Sequence, residues 1–156
     1  MKKIFQQGML MWMVVLVTSV TFAAPVTEQQ IQRVYYQWTH AIESARGNPQ
    51  PVVSLYAPKA ISLATLAPLP LTNHAQLDAY FKKLTSNKGL HVETQQILTQ
   101  IYPHIAINSG VYTFHFIDSE NKPVALKARF SFVYHESKGR WLIVNHHSSV
   151  LPNPGS

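Results

Sequence analysis

No cysteine occurs anywhere in the 156 residues. Disulfides, thiolate nucleophiles and Cys-ligated metals are therefore excluded, and stability has to come from packing. Charge is sparse as well: Asp, Glu, Lys and Arg make up 13% of the chain, and only 7 residues are acidic. The 13 basic residues are dispersed, without the long basic run that would hold nucleic acid, so the net positive charge points to small anions instead. No His-x-His or Glu-x-x-His spacing is present to suggest a zinc site. Internal repeats, linkers and low-complexity segments are missing too.

Apart from one N-terminal stretch, no apolar run approaches the ~20 residues that a membrane-spanning helix requires. That stretch, Met9 to Val17, follows Lys2 and Lys3 and precedes the small residues Ala23 and Ala24, the three parts of a secretory signal. Cleavage is expected after Ala23, giving a periplasmic or secreted protein with no membrane attachment. Removing 23 of the 156 residues leaves one domain's worth of chain, residues 24–156, with 11 basic residues against 7 acidic ones.

Thr27-Glu28-Gln29-Gln30 has the spacing of a capping box, and Ile31, Val34, Tyr35, Trp38, Ala41, Ile42 and Ala45 follow at helical spacing. A helix to about Arg46 is predicted, with Gly47 in the left-handed position after it. Asn48-Pro49 restarts the chain into a short helix carrying Val52, Val53 and Tyr56, which Tyr56-Ala57-Pro58 ends. Ala60 to Leu66 reads as a strand. Thr72 or Asn73 then caps a helix with Leu77, Tyr80, Phe81 and Leu84 on one side, closed by Gly89. After Gly89 the period becomes two, and Leu90–Ile101, Ile105–Ile117, Val124–His135 and Trp141–Val150 are predicted as long strands. Helices first and hairpin-linked strands afterwards is the α+β pattern, a curved, mainly antiparallel sheet wrapped over helices. The hollow so formed is the usual shape of a small-molecule site.

The last strand holds the most chemistry. Strict alternation along Arg140 to Pro152 puts Trp141, Ile143, Asn145, His147 and Ser149 on one face and Leu142, Val144, His146 and Ser148 on the other. Each face receives one imidazole, with an ordinary pKa of about 6.5, and one hydroxyl two residues along, a proton-handling pair. The plainer reading is a solvated strand end whose hydroxyls satisfy loose backbone groups. A bulge would exchange the faces.

The element order, together with Ser54-Leu55-Tyr56-Ala57-Pro58 and Arg140-Trp141-Leu142-Ile143-Val144, resembles the NTF2-like (SnoaL-like) superfamily of cone-shaped domains. Within it, three stretches are similar to the iota-class carbonic anhydrases, a group related to the association domain of calmodulin-dependent kinase II: Leu63-Ala64-Thr65-Leu66, Ser109 to Phe114, and Ala128 to Tyr134 running into His146-His147-Ser148-Ser149. The resemblance implies reversible hydration of CO2 to bicarbonate and a proton. It implies catalytic roles for Thr65 on the first strand, Tyr80 on the following helix, His147 and Ser149, with His146 and Ser148 as further candidates. Substrate contact is implied for Thr65, Tyr80, Ser149 and Tyr112.

Hydrating CO2 needs an oriented water, a route for its proton, donors for the developing oxygens and an apolar wall. Hydroxyls and an imidazole supply the first three. Phe114, Phe116, Phe130, Phe132 and Trp141 could supply the wall, or simply fill a core. No metal is expected. A zinc or manganese site would need His91 or His115 beside His147, because adjacent His146 and His147 point apart. A homodimer is expected from the family and the broad sheet. The alternative from another class is a non-catalytic, secreted ligand-binding or oligomerisation module of the same fold. A ketosteroid-isomerase-like proton transferase ranks last, because Asp78, Glu93, Asp118, Glu120 and Glu136 fall mostly in turns.

Overall fold

A computed structural model describes residues 25–152, so the expected signal segment lies outside the described residues. Thr27 caps helix α1 (Glu28–Ser44) with the full capping box: its side chain accepts from the Gln30 amide, and Gln30 Oε1 accepts from the Thr27 amide at 2.8 Å. Ile31, Tyr35, Trp38 and Ile42 recur on one face of α1 and are fully buried. After Arg46 and Gly47, both at positive φ, comes the short helix α2 (Gln50–Val53).

Strand β1 runs Tyr56–Leu63. This corrects two expectations, since Tyr56 opens the strand rather than ending the helix, and the strand stops short of Leu66. The ladder explains it: the Ile143 amide donates to the Leu55 carbonyl at 2.9 Å, and Tyr56 pairs with Ile143. Pro58, with no N–H to give, is tolerated because β1 is an edge strand. Helix α3 (His74–Thr85) is capped by Asn73, whose side chain accepts from the Gln76 amide at 3.0 Å. Gly89 does not close it. Asn87 Nδ2 donates to the Leu84 carbonyl at 2.8 Å, so no glycine is required there, and Gly89 lies within β2 (Lys88–Tyr102) instead.

Strands β3 (Ile105–Ile117), β4 (Pro123–Ser137) and β5 (Arg140–Val150) complete one sheet in the order β1-β5-β4-β3-β2. All neighbours are antiparallel except β1 and β5. The sheet's inner face carries Tyr112, Phe114, Phe130, Phe132 and Tyr134, all buried, against the apolar face of α1. Trp38 meets Phe132 edge-on at 4.9 Å between centroids, and Tyr35 stacks on Phe130 at 5.0 Å. The proposed aromatic wall is therefore largely core. The α+β architecture is as expected.

Register shifts interrupt the ladder on β1, β2 and β5, and two of them bear on the site. One lies between Thr94 and Gln96 on β2, opposite Tyr112 and Val111 and next to Gly110, where a Cβ would overlap the Gln96 carbonyl oxygen. The other lies on β5. There Tyr134 pairs with Ile143 but Val133 pairs with Asn145, leaving Val144 as the extra residue.

Candidate functional site

The β5 bulge decides which polar residues enter the hollow. Ile143 points inward, and because Val144 is extra, His146 and Ser148 point inward too, at 3% and 6% exposure. His147 is exposed and Ser149 half-buried on the opposite, outer face. The expectation that His147 and Ser149 lead the cavity-facing group is corrected: one extra residue displaces strict alternation and exchanges the two pairs.

Ser148 is the meeting point of a hydroxyl group cluster. Tyr112 Oη donates to Ser148 Oγ at 2.7 Å, and Thr65 Oγ1 is in hydrogen-bond contact with Ser148 Oγ. Thr65 lies just past β1, in a turn where the Ala67 amide bonds the Ala64 carbonyl at 2.9 Å, and not on the strand as expected. This turn lets a half-buried side chain reach the end of β5. Burial pushes the Tyr112 hydroxyl pKa up, only partly offset by its bond to Ser148, so Tyr112 remains a neutral donor.

Tyr80, half-buried on α3, lines a cavity of about 290 Å³ together with Leu66, Lys83, Leu84 and Asn87. Leu66, the residue after Thr65, is the point at which this cavity comes nearest to the hydroxyl cluster along the chain, and Thr65, Tyr112 and Ser148 themselves do not line it. Sites for drug-sized ligands run to ~300–1,000 Å³, so this one suits a small molecule. Burial raises the Tyr80 hydroxyl to about 12, against a smaller downward pull from the Leu66 backbone.

His146 sits deeper. Its ring stacks on Phe132 at 3.9 Å between centroids, and its Nδ1 meets Tyr56 Oη at 2.9 Å. Trp38 Nε1 donates to that same Tyr56 oxygen at 3.0 Å. An indole can only donate, and among the described residues His146 Nδ1 is the one acceptor within reach of the buried Tyr56 O–H, so the tautomer that satisfies Tyr56 carries the imidazole hydrogen on Nε2. Burial, with a smaller push from His147, lowers the His146 pKa to about 3. The inward imidazole is thus a neutral donor at ordinary pH, and the expected titration near neutrality does not belong to it. Ser62, Tyr56 and Trp38 were missed as site neighbours. Ser62 and Tyr56 alternate correctly with Ala60, a pattern that a different boundary for β1 would have revealed.

On the outer face, Arg129 Nε donates to Ser149 Oγ at 3.0 Å, and these two, with Ser131 and His147, line a hollow of about 140 Å³. His91 and His115 stack on each other at 4.5 Å, and His115 Nε2 meets Glu93 Oε2 at 2.9 Å. β4 separates His115 from His147, so the ligand set that zinc or manganese would need does not assemble. Among the described residues no group of three His, Asp or Glu side chains could hold a metal ion. Nor do the carboxylates weighed for a proton transferase reach the inner hydroxyls: Asp78 accepts from Gln50, Glu120 from Lys122, and Glu136 from the Gly139 amide.

Residues 27–152 match the family described as the calcium/calmodulin dependent protein kinase II association domain. A chain from Xanthomonas campestris assigned to that same domain superposes with a TM-score of 0.75 at 29% identity, over 88% of this chain and 100% of that one. An NTF2-like superfamily protein from Salmonella enterica gives 0.71 at 14% identity (81% and 92%), and the C. elegans CaMKII association domain gives 0.64 at 17% (79% and 95%). At those lower identities the likeness shows the NTF2-like fold alone. No curated protein matches the chain. The chain belongs to the calcium/calmodulin dependent protein kinase II association domain family.

Proposed function

We propose that the protein is a carbonic anhydrase of the iota class, hydrating CO2 to bicarbonate and a proton in a site of hydroxyls and imidazole without a metal. The observation that carries this reading is the convergence of the Thr65 and Tyr112 hydroxyls on Ser148, with Tyr80 lining a small cavity that begins at Leu66, the residue after Thr65. Tyr112 donates a hydrogen bond to Ser148, whose own O–H then points to Thr65. Thr65 then holds one lone pair for the attacking water and its own O–H for an oxygen of CO2. As the water oxygen bonds to carbon, one C=O electron pair moves onto oxygen, where the hydroxyl donors of Thr65 and Tyr80 meet the developing charge. Since Tyr80, Tyr112 and His146 all stay neutral near pH 7, the released proton passes to solvent past half-buried Thr65. Bonds to carbon and charge balance without a co-reactant.

Stopped-flow hydration of CO2 tests the assignment. Thr65→Val and Ser148→Ala are expected to lose at least tenfold in rate, because each removes an oriented hydroxyl, whereas His147→Ala and Ser149→Ala on the outer face retain activity. Loss in the outer pair with retention in the inner pair would overturn the site.

A second reading, an assembly module without turnover, is favoured by membership of an association domain family and by the exposed apolar residues Ile61, Leu63 and Leu98 on the outer sheet face. The two readings are compatible with a homodimer, which we propose packs through that face. Export to the periplasm or beyond follows from Met1–Ala23, and N-terminal sequencing of exported protein should begin at Ala24.

A further inference from the structure

The outer pair on β5, His147 and Ser149, has no part in the inner hydroxyl cluster, yet it does not stand alone. Ser131 and Arg129 on β4 are the register partners of His147 and Ser149, so the four side chains form a compact array across two neighbouring strands. That array lines the outer hollow of about 140 Å³. Sites for drug-sized ligands begin near ~300 Å³, so this hollow takes a small ion rather than a nucleotide or a sugar.

Its charge has one sign. β5 carries no acidic residue, and the single one on β4, Glu136, is held near the far end of that strand by the Gly139 amide and His104. Among the described residues no carboxylate pairs with Arg129, while Lys127 stands two residues before it on the same strand and so on the same face. The bond that Arg129 does make orders it without neutralising it. Ser149 Oγ accepts from Nε at 3.0 Å, which fixes the plane of the guanidinium and leaves the N–H groups of both terminal nitrogens for a guest. Since Ser149 Oγ accepts there, its own hydrogen is available to donate.

Ser109 Oγ and Ser131 Oγ lie 3.0 Å apart, and when Ser109 donates, the Ser131 hydrogen turns to the hollow as well. An imidazole N–H of His147 completes the set. Guanidinium, hydroxyls and imidazole are then all donors around one small space, with no acceptor carboxylate among them. Converging from two strands at two registers, they suit the four oxygens of a tetrahedral oxyanion better than the flat fork of a carboxylate.

We propose that Arg129, Ser131, His147 and Ser149 form a phosphate-binding site on the outer sheet face, separate from the hydroxyl cluster and independent of the CO2 hydration reading. The recognised chemistry is a phosphate dianion, either free or as the terminal group of a monoester. Exposed Leu63 is the register partner of His147, which sets the site at the border of the surface assigned to self-association, so binding is measured on the protein in its native assembly state.

Isothermal titration calorimetry of the full-length protein with sodium phosphate, against sodium chloride of equal ionic strength, tests the site. A saturable isotherm is the expected result. Arg129→Lys keeps the charge but loses the fork and should weaken binding at least fivefold, and Ser149→Ala should weaken it at least threefold, whereas Lys82→Gln on α3 should leave it unchanged. Sodium bicarbonate should bind at least tenfold more weakly than phosphate. Methyl phosphate distinguishes the sources: equal binding assigns a phosphomonoester, binding of inorganic phosphate alone assigns the free ion, and each supports the site. A wild-type titration no different from chloride, an affinity unchanged in Arg129→Lys, or bicarbonate bound as tightly as phosphate would overturn it. The wild-type comparison of phosphate, bicarbonate and chloride requires no variant to fold.

Discussion

At the scale of single residues, the account turns on His146 and Ser148. The sequence places a His-Ser pair on each face of β5, and chemistry alone could not choose between them, because both pairs hold the same groups at the same spacing. Val144 chooses, by being the residue without a cross-strand partner. A consequence follows for acid stability. Burial holds the folded His146 at about 3, below its ordinary 6.5. The unfolded chain takes up that proton first as pH falls, so the contribution of the neutral imidazole is whole above pH ~6.5, declines through the interval and is gone below ~3. By pH 5 the loss amounts to about 2 kcal/mol. Urea unfolding at pH 7 and pH 5 should therefore show wild type losing about 2 kcal/mol more than His146→Gln, and equal losses would contradict a buried neutral ring. In the same vein, a pH–rate profile for CO2 hydration should show no inflection between pH 5 and 9 that His146→Gln removes.

At the scale of elements, the long antiparallel strands and the two longer helices were legible because their signals are repetitive. Period-two apolar residues in β3 and β4, and the Thr27 and Asn73 caps, each survive an error of one residue. The β1 region was not legible in the same way. Its start at Tyr56 depends on a parallel partner far along the chain, Ile143 on β5, and its end before Thr65 depends on a turn held by one backbone bond. Non-local pairing of this kind leaves no periodic trace in a short segment containing Pro58. The bulge on β2 is likewise silent in the sequence, except for Gly110. Gly110→Ala should force the Gln96 carbonyl aside and lower stability by about 1–3 kcal/mol in urea unfolding. Unchanged stability would show that β2 can slide past β3 freely.

At the scale of the whole molecule, one curved sheet and one long helix create a hollow whose filling is mostly aromatic core, with Ser62, His146 and Ser148 buried on the β1–β5 side and Asn108 buried apart from them on β3, bonded to the Ile31 carbonyl. The outer face is different in kind. It combines exposed Ile61, Leu63 and Leu98 with Arg129, His147 and Ser149, a mixed surface of the sort that associates with another copy. Light scattering on the protein lacking residues 1–23 should give the mass of two subunits, and a stable single-subunit mass at micromolar concentration would refute the homodimer. The two proposed uses do not compete in this architecture, because assembly would draw on the outer face and CO2 hydration on the inner.

The most direct measurement is stopped-flow CO2 hydration by metal-analysed, chelator-treated protein, wild type beside Ser148→Ala. A hydroxyl and imidazole site requires turnover that persists after chelation and falls at least tenfold in the variant. Wild-type protein no faster than buffer, or activity that chelation abolishes and zinc or manganese restores, would contradict it.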